Sequence, residues 1–285
     1  MKRQKSFQND VVSLYLVTTP IGNLDEFSNR CVDILKSVSV IAAEDTRTTQ
    51  KLLNHFGINT KCIAHHMHNE KNSADGILKL LNSGQSVALV SDAGLPLISD
   101  PGLILVQTAL QEGFNVIPVG INNAGLAALI ASGLKTQPYT FVGFLPTQDK
   151  AFKLECEQYK SYATTLIIYE APHRMKKTLQ KLETIFGNRQ AVLARELTKL
   201  HEEFIRGNIS ELIEVVDELK GEMVLIVEGH ETDREADIDL SEINALIQNR
   251  INQGLSASDA IKEISQLTGL SKNEIYSHYH QKEPS

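Results

Sequence analysis

Short apolar runs, each handing over to a stretch of helical spacing, recur through the first part of the chain and constrain its fold more than any other feature. The runs fall at residues 14–19, 40–43, 61–64, 86–90 and 115–118, and the helical spacing at 29–38, 48–56, 73–81, 102–111 and 124–131. In the first helix the apolar positions are Val32, Ile34, Leu35 and Val38, and Gly57, Gly84 and Gly113 stand where three later helices end. Runs that are apolar throughout have both faces covered, and their alternation with helices predicts a mostly parallel sheet. Residues 12–122 therefore read as one α/β lobe.

A crossing at 133–138 leads to further strand-like runs at 140–144, 164–169, 190–195 and 223–227, with helices over 150–159, 175–186 and 209–219. These predict a second α/β lobe over residues 123–230. Residues 231–242 hold six acids and one Arg, so 231–240 reads as an acidic linker. The rest, 241–285, shows three short helical patterns with Ser256 and Ser271 as N-caps, and 256–276, with Gly269 between two of them, resembles a helix-turn-helix. A chain of 285 residues has room for two lobes and such an appendage.

No apolar run approaches the ~20 residues of a membrane helix. The basic start MKRQKSFQND has no apolar segment after it and does not read as a signal peptide. The expectation is a soluble, cytoplasmic protein. Three widely spaced cysteines, Cys31, Cys62 and Cys156, predict reduced core thiols rather than disulfides or a zinc site. His65, His66 and His68 alternate faces in an extended segment, so no metal is expected. The net charge of −7 argues against indiscriminate nucleic-acid affinity. Residues 231–285 carry five Lys/Arg against ten Asp/Glu, leaving 23 against 25 on the main body, where any RNA-binding surface has to be local.

Ligands of open α/β sheets bind outside the carboxyl ends of the strands. After the first strand comes Thr19-Pro20-Ile21-Gly22-Asn23, which is not a dinucleotide fingerprint. After the second comes Ala43-Glu44-Asp45-Thr46-Arg47, suited to proton transfer or to a polar substrate. The alternative is that Asp45 or Thr46 caps the next helix while Arg47 forms a surface ion pair. Residues 91–102, Ser-Asp-Ala-Gly-Leu-Pro-Leu-Ile-Ser-Asp-Pro-Gly, follow the most apolar strand, and their backbone can approach an adenosine or amino-acid moiety closely. The second lobe repeats the placement at 141–146, 169–174 and 195–203. His173 and Arg174 open a helix, where a phosphate is well received.

In chain order these segments resemble the ribosomal RNA small-subunit methyltransferase I family, a branch of the tetrapyrrole (class III) methylases. The resemblance runs from about residue 13 to 229 through 14–24, 42–47, 51–57, 68–70, 91–102, 143–146, 169–174 and 195–199. It implies a two-lobed class III methyltransferase with a small C-terminal helical unit, S-adenosylmethionine in the cleft between the lobes, and a homodimer. It also implies methylation of a cytidine 2′-hydroxyl in the decoding region of 16S ribosomal RNA, within the small ribosomal subunit.

Carried over by position, the cofactor contacts are Pro20, Ser91, Asp92, Ala93, Gly94, Leu97 and Ile98, then Asn123 and Ala124. From the second lobe they are Gly143, Phe144, Tyr169, Ala194, Arg195, Glu196, Leu197 and Met223. The catalytic candidates are Glu44 and Asp45 with Arg47, and Asp100 suits a turn as well as a catalytic role. His68, Asn69, His173, Arg174 and Lys199 are the expected RNA contacts. Two segments depart from the family pattern: Leu95-Pro96-Leu97 stands where Thr-Pro-Gly is usual, and Gly120-Ile121-Asn122-Asn123-Ala124 where Pro-Gly-Pro-Ser-Ala is usual. In the second, Ile121 cannot take the positive φ of a glycine, but Gly120 and the two Asn residues, Asn122 and Asn123, can restore the turn one place away.

Overall fold

A computed structural model describes residues 1–7, 11–230, 240–252, 255–268, 272, 275, 276 and 279. The chain divides into two compact units, Met1–His230 and Glu231–Ser285. In the first, β1 (Lys2–Lys5) is followed by β2 (Ser13–Val17), α1 (Asn29–Ser37), β3 (Val40–Ala43), α2 (Thr46–His55), β4 (Lys61–Ala64) and α3 (Glu70–Asn82). Next come β5 (Val87–Val90), α4 (Leu103–Gln111), β6 (Asn115–Val119), α5 (Ala124–Ser132), β7 (Tyr139–Phe144) and α6 (Asp149–Tyr159). The unit closes with β8 (Thr165–Glu170), α7 (Pro172–Phe186), β9 (Gln190–Arg195), β10 (Glu203–Asn208), α8 (Ile209–Val215) and β11 (Met223–Val227).

The strands form two sheets. One is all parallel, in the order β4-β3-β5-β2-β6. The other is mixed, in the order β1-β10-β9-β11-β8-β7, with only β7 and β8 paired in parallel. Helix α5 lies between them. It is apolar all round and buried from Gly125, apart from Leu126, to Ser132, as a helix packed on every side has to be. Its Ala128–Ala131 side chains join Leu14, Leu16 and Leu89 of the parallel sheet to Ile167, Val192 and Val224 of the mixed one in a single core. The outer faces have cores of their own, under α1 and α2 on one side and under α6, α7 and α8 on the other.

Helix starts differ from the sequence expectation because caps, not apolar spacing, set them. Helix α2 begins at Thr46, with the Asp45 side chain accepting from the Arg47 N–H, and α7 begins at Pro172, a favoured first helical residue. The expected helix over 209–219 is α8 plus a 3-10 turn, Val216–Glu218. Two strands have no counterpart in the sequence reading, β1 (KRQK) and β10 (EFIRGN). Both are too polar for an apolar pattern to mark them. They pair with each other, and the buried Glu203 accepts from Arg3 Nε at 2.9 Å and Arg195 Nε at 2.6 Å. The cysteines are free, and burial pushes the thiol of Cys156 up to about 12 and that of Cys62 up to about 11.

In the second unit, α9 (Leu240–Asn252) and α10 (Ala257–Thr268) enclose a core of Ile243, Ile247, Ala260, Ile261, Ile264 and Ile275, whereas Leu246 is exposed. The Asp259 N–H donates to Ser256 Oγ at 3.2 Å, which makes Ser256 a cap of α10. Ser271, Gly269, Leu270 and most of the acidic linker lie outside the described residues. No described helix is long and apolar enough to cross a membrane, and no His, Cys, Asp or Glu cluster suited to a metal occurs among the described residues.

Candidate functional site

At the carboxyl ends of β2, β3 and β5 the loops are tied together by backbone hydrogen bonds. Thr19 and Gly94 exchange N–H···O bonds of 2.9 and 3.1 Å, and Thr18 Oγ1 donates to the Gly94 carbonyl at 2.9 Å. Gly94 sits at φ +82°, where a Cβ would also press on Ile21. Gly120 sits at φ +84°, and a Cβ there would overlap Cys31 Sγ and Thr18 Cγ2. Of the residues able to restore the turn beside Ile121, it is Gly120 that takes the positive φ. In the other departing segment it is Leu97 that takes φ +71°, with its carbonyl accepting from Thr136 Oγ1 at 2.6 Å.

Four acids meet in this region. Asp92 Oδ1 accepts from the Asp45 N–H at 3.0 Å. Asp45 is paired with the exposed Arg47 at 2.8 Å, and that hydrogen bond holds its carboxyl down at about 2. Asp45 and Arg47 thus form the cap and surface ion pair that the sequence left as the alternative. The half-buried carboxyl of Asp100 is pushed up to about 6, first by burial and next by the Glu44 carboxylate, with the Ser91 hydroxyl partly opposing. The Glu44 carboxylate therefore helps to keep Asp100 protonated to a higher pH than an ordinary aspartate.

A second feature lies where α5 meets the mixed sheet. A cavity of about 460 Å³ is lined by Ala124, Phe144, Tyr169, Ala194, Leu197 and Met223, together with Glu170–Pro172 of the 169–174 segment and with Glu222 and Val224, which were not among the expected cofactor contacts. Tyr169 packs edge-on against the rings of Phe141 and Phe144, with centroids 5.2 and 5.7 Å apart, and its hydroxyl accepts the Gly125 N–H at 3.0 Å. Leu197 reaches the wall from the 195–199 loop, in which Glu196 and Thr198 both take positive φ. Three hydrogen bonds hold it: Glu196 N–H to the Glu222 carbonyl, Glu222 N–H to Glu196 Oε1, and Thr198 N–H to the buried Glu202. Volume and mostly apolar lining suit a small organic ligand. Aromatic faces beside carboxylates suit an adenosine carrying a cationic group.

The residues expected at the cofactor site line more than one space. Pro20, Ser91 and Asp92 line a separate cleft of about 320 Å³ beside α2. Ala93, Gly94, Leu97, Ile98, Asn123, Gly143, Arg195 and Glu196 line neither space. Asn123 caps α5 by accepting from the Leu126 N–H. Among the expected RNA contacts, Arg174 is turned to structural use: it pairs with the buried Glu170 at 3.2 Å and donates to the Leu145 carbonyl. Lys199 bridges Glu196 and Glu222 at 3.0 and 2.9 Å. Asn69 closes the turn before α3 by accepting from the His66 N–H, and the His68 side chain lies outside the described atoms. His173 is exposed beside Lys176 and Lys220 in a third cleft.

The family model for tetrapyrrole (corrin/porphyrin) methylases matches residues 13–213. The chain is 45% identical to ribosomal RNA small subunit methyltransferase I of Halalkalibacterium halodurans over 289 residues, 99% of this chain and 100% of that one. It is 45% identical over 291 residues to the protein of that name from Bacillus subtilis, again 99% and 100% of the two chains. The Escherichia coli O157:H7 protein of that name is 41% identical over 281 residues, 97% of each chain. Fold, cavity and near-full-length relatives agree: this chain belongs to the ribosomal RNA small subunit methyltransferase I family of the tetrapyrrole methylases, whose methyl donor is S-adenosylmethionine.

Proposed function

We propose that this protein transfers a methyl group from S-adenosylmethionine to the 2′-hydroxyl of a cytidine ribose in the decoding region of 16S ribosomal RNA. Its substrate is the small ribosomal subunit and its place of action the cytoplasm. The observation that carries the reading is identity of 41–45% across almost the whole length of relatives named for methylation of small-subunit RNA. The cytidine, the 2′-position and the decoding region rest on the family resemblance of the strand-end segments. Residues 12–122 and 123–230 act as the two lobes, 231–240 as the linker and 241–285 as a unit that docks the subunit. The active form is a homodimer, and a monomeric mass by light scattering at micromolar concentration would overturn that assignment.

Bound S-adenosylmethionine supplies a methyl group on an already good leaving group, so positioning carries most of the acceleration. Ala124, Tyr169, Ala194, Leu197 and Met223 would hold it and exclude water from the cavity. Loop 195–199, braced by Glu202 and Glu222, keeps Leu197 in the cavity wall. The Glu44–Asp100 pair accepts the ribose hydroxyl proton. At about 6, Asp100 is ionised at neutral pH and is a stronger base than Asp45 at about 2. Transfer then rises with pH through about 6 and levels off above it.

Ribose-methylation mapping of small-subunit RNA from cells with and without the protein tests the reading. One decoding-region cytidine should lose its 2′-O-methyl group, and purified protein with S-adenosylmethionine should restore it. An unchanged map overturns the assignment.

A further inference from the structure

The cleft beside α2 has no place in the mechanism above. We propose that it binds a single pyrimidine nucleotide of the RNA substrate, in single-stranded form; the inference rests on the reading of the protein as an RNA methyltransferase. Thr48, Lys51, Leu52 and His55 all line the cleft, and their i, i+3, i+4, i+7 spacing puts them on one face of α2. The opposite wall is the loop from Thr19 to Leu24, and Ser91 and Asp92 close one end. The space, about 320 Å³, shares no lining residue with the cofactor cavity.

Four features point to a nucleotide. Pro20, Leu24 and Leu52 give apolar surface for a base, and Ile21, 81% exposed, stands between two lining residues; unstacked RNA bases are held on surfaces of this kind. Lys51 and His55 are exposed one turn apart, and Lys51 makes no ion pair among the described residues, so a phosphate would be its first counter-charge. Thr49 is 3% exposed and lines the cleft, yet its Oγ1 has no hydrogen-bond partner. Buried hydroxyls are nearly always satisfied, and a ligand group in the cleft would satisfy this one. The Asp92 carboxylate adds an acceptor suited to the amino group of cytosine. Asp92 also receives the Asp45 N–H, which places the cleft next to the segment carrying Glu44. A nucleotide held here lies beside the proposed proton acceptor.

Thr49→Val keeps the shape of the buried side chain and removes only the unpartnered hydroxyl. Lys51→Ala changes an exposed residue, so it keeps the test open if the first variant folds poorly. With the full chain, binding of a fluorescent single-stranded RNA oligonucleotide containing cytidine is measured by anisotropy, binding of S-adenosylmethionine by calorimetry, and methyl transfer on small subunits by initial rates. Both variants should weaken RNA binding and raise KM for the subunit about fivefold or more, with cofactor affinity held within about twofold. Unchanged RNA affinity and KM in active variants overturn the nucleotide cleft and leave the proposed function standing. Loss of cofactor affinity also overturns it, because the cleft would then belong to the cofactor site. If the wild-type protein methylates no small-subunit RNA, the functional reading fails by itself. Cytidine 5′-monophosphate binding then decides the cleft: affinity lowered by Lys51→Ala supports it, and no binding to the wild type overturns it.

Discussion

At the scale of single residues, Leu97 sets two costs against each other. A leucine at φ +71° carries about 1–2 kcal/mol of backbone strain that a glycine would not. The same side chain is 1% exposed and belongs to the core between the sheets, where removing a leucine costs about 2–5 kcal/mol. Burial wins, so Leu97→Gly should destabilise the protein by about 1–3 kcal/mol in urea denaturation, although glycine is the usual residue of the family pattern. A gain in stability would show that strain dominates. Asp100 gives a prediction in pH. Its folded value of about 6 lies above the ordinary 3.8, so it favours the fold fully below about pH 4 and loses that contribution as pH rises through about 6. Asp100→Asn should flatten that part of the stability profile and lower methyl transfer about 100-fold. Parallel wild-type and variant profiles would remove the shifted carboxyl, and full activity would remove the base.

Among the elements, β1 is the least legible in sequence and has a role that only the fold explains. Strands β1 and β6 are edge strands of different sheets. The Gln4 amide joins them, donating to the Val116 carbonyl at 2.8 Å and accepting the Val116 N–H at 3.1 Å. Gln4→Leu would leave both backbone groups buried and unpaired, and should cost about 2 kcal/mol of stability by denaturant titration. A change near zero would mean that water replaces the amide. The buried Glu203 beside it is pushed up by burial but pulled down further by Arg3 and Arg195, so it stays ionised and fixes β1 and β9 on β10.

For the whole molecule, the question is what the C-terminal unit contributes. It has an isoleucine-rich core of its own and an Arg250–Glu263 ion pair at 2.9 Å. Its acid excess speaks against a general phosphate-binding role. A chain ending at Gly229 should fold and bind S-adenosylmethionine, yet show a raised KM and lowered turnover on small subunits. Full-rate methylation by the shortened chain would show that the tail does not dock the substrate.

Most of the parallel sheet was readable because burial on both faces writes itself into composition: β3 and β5 are four buried residues each, with no polar position among them. The loops at the strand ends were readable because turns need particular residues. What the sequence could not show rests on partners distant in the chain. Strands β1 and β10 look polar because their stability comes from each other and from an ion pair joining residues 200 positions apart. The Leu145 carbonyl that accepts from Arg174 lies 29 positions away, so the sequence does not show this contact. Which motif residues line the cavity at the mixed sheet, Tyr169, Leu197 and Met223, and which line the cleft beside α2, Pro20, Ser91 and Asp92, is likewise set by the packing of distant segments. Local chemistry marked the strand-end loops as suited to ligands; only tertiary packing decided which of their residues share a cavity, because nothing local records where two sheets meet.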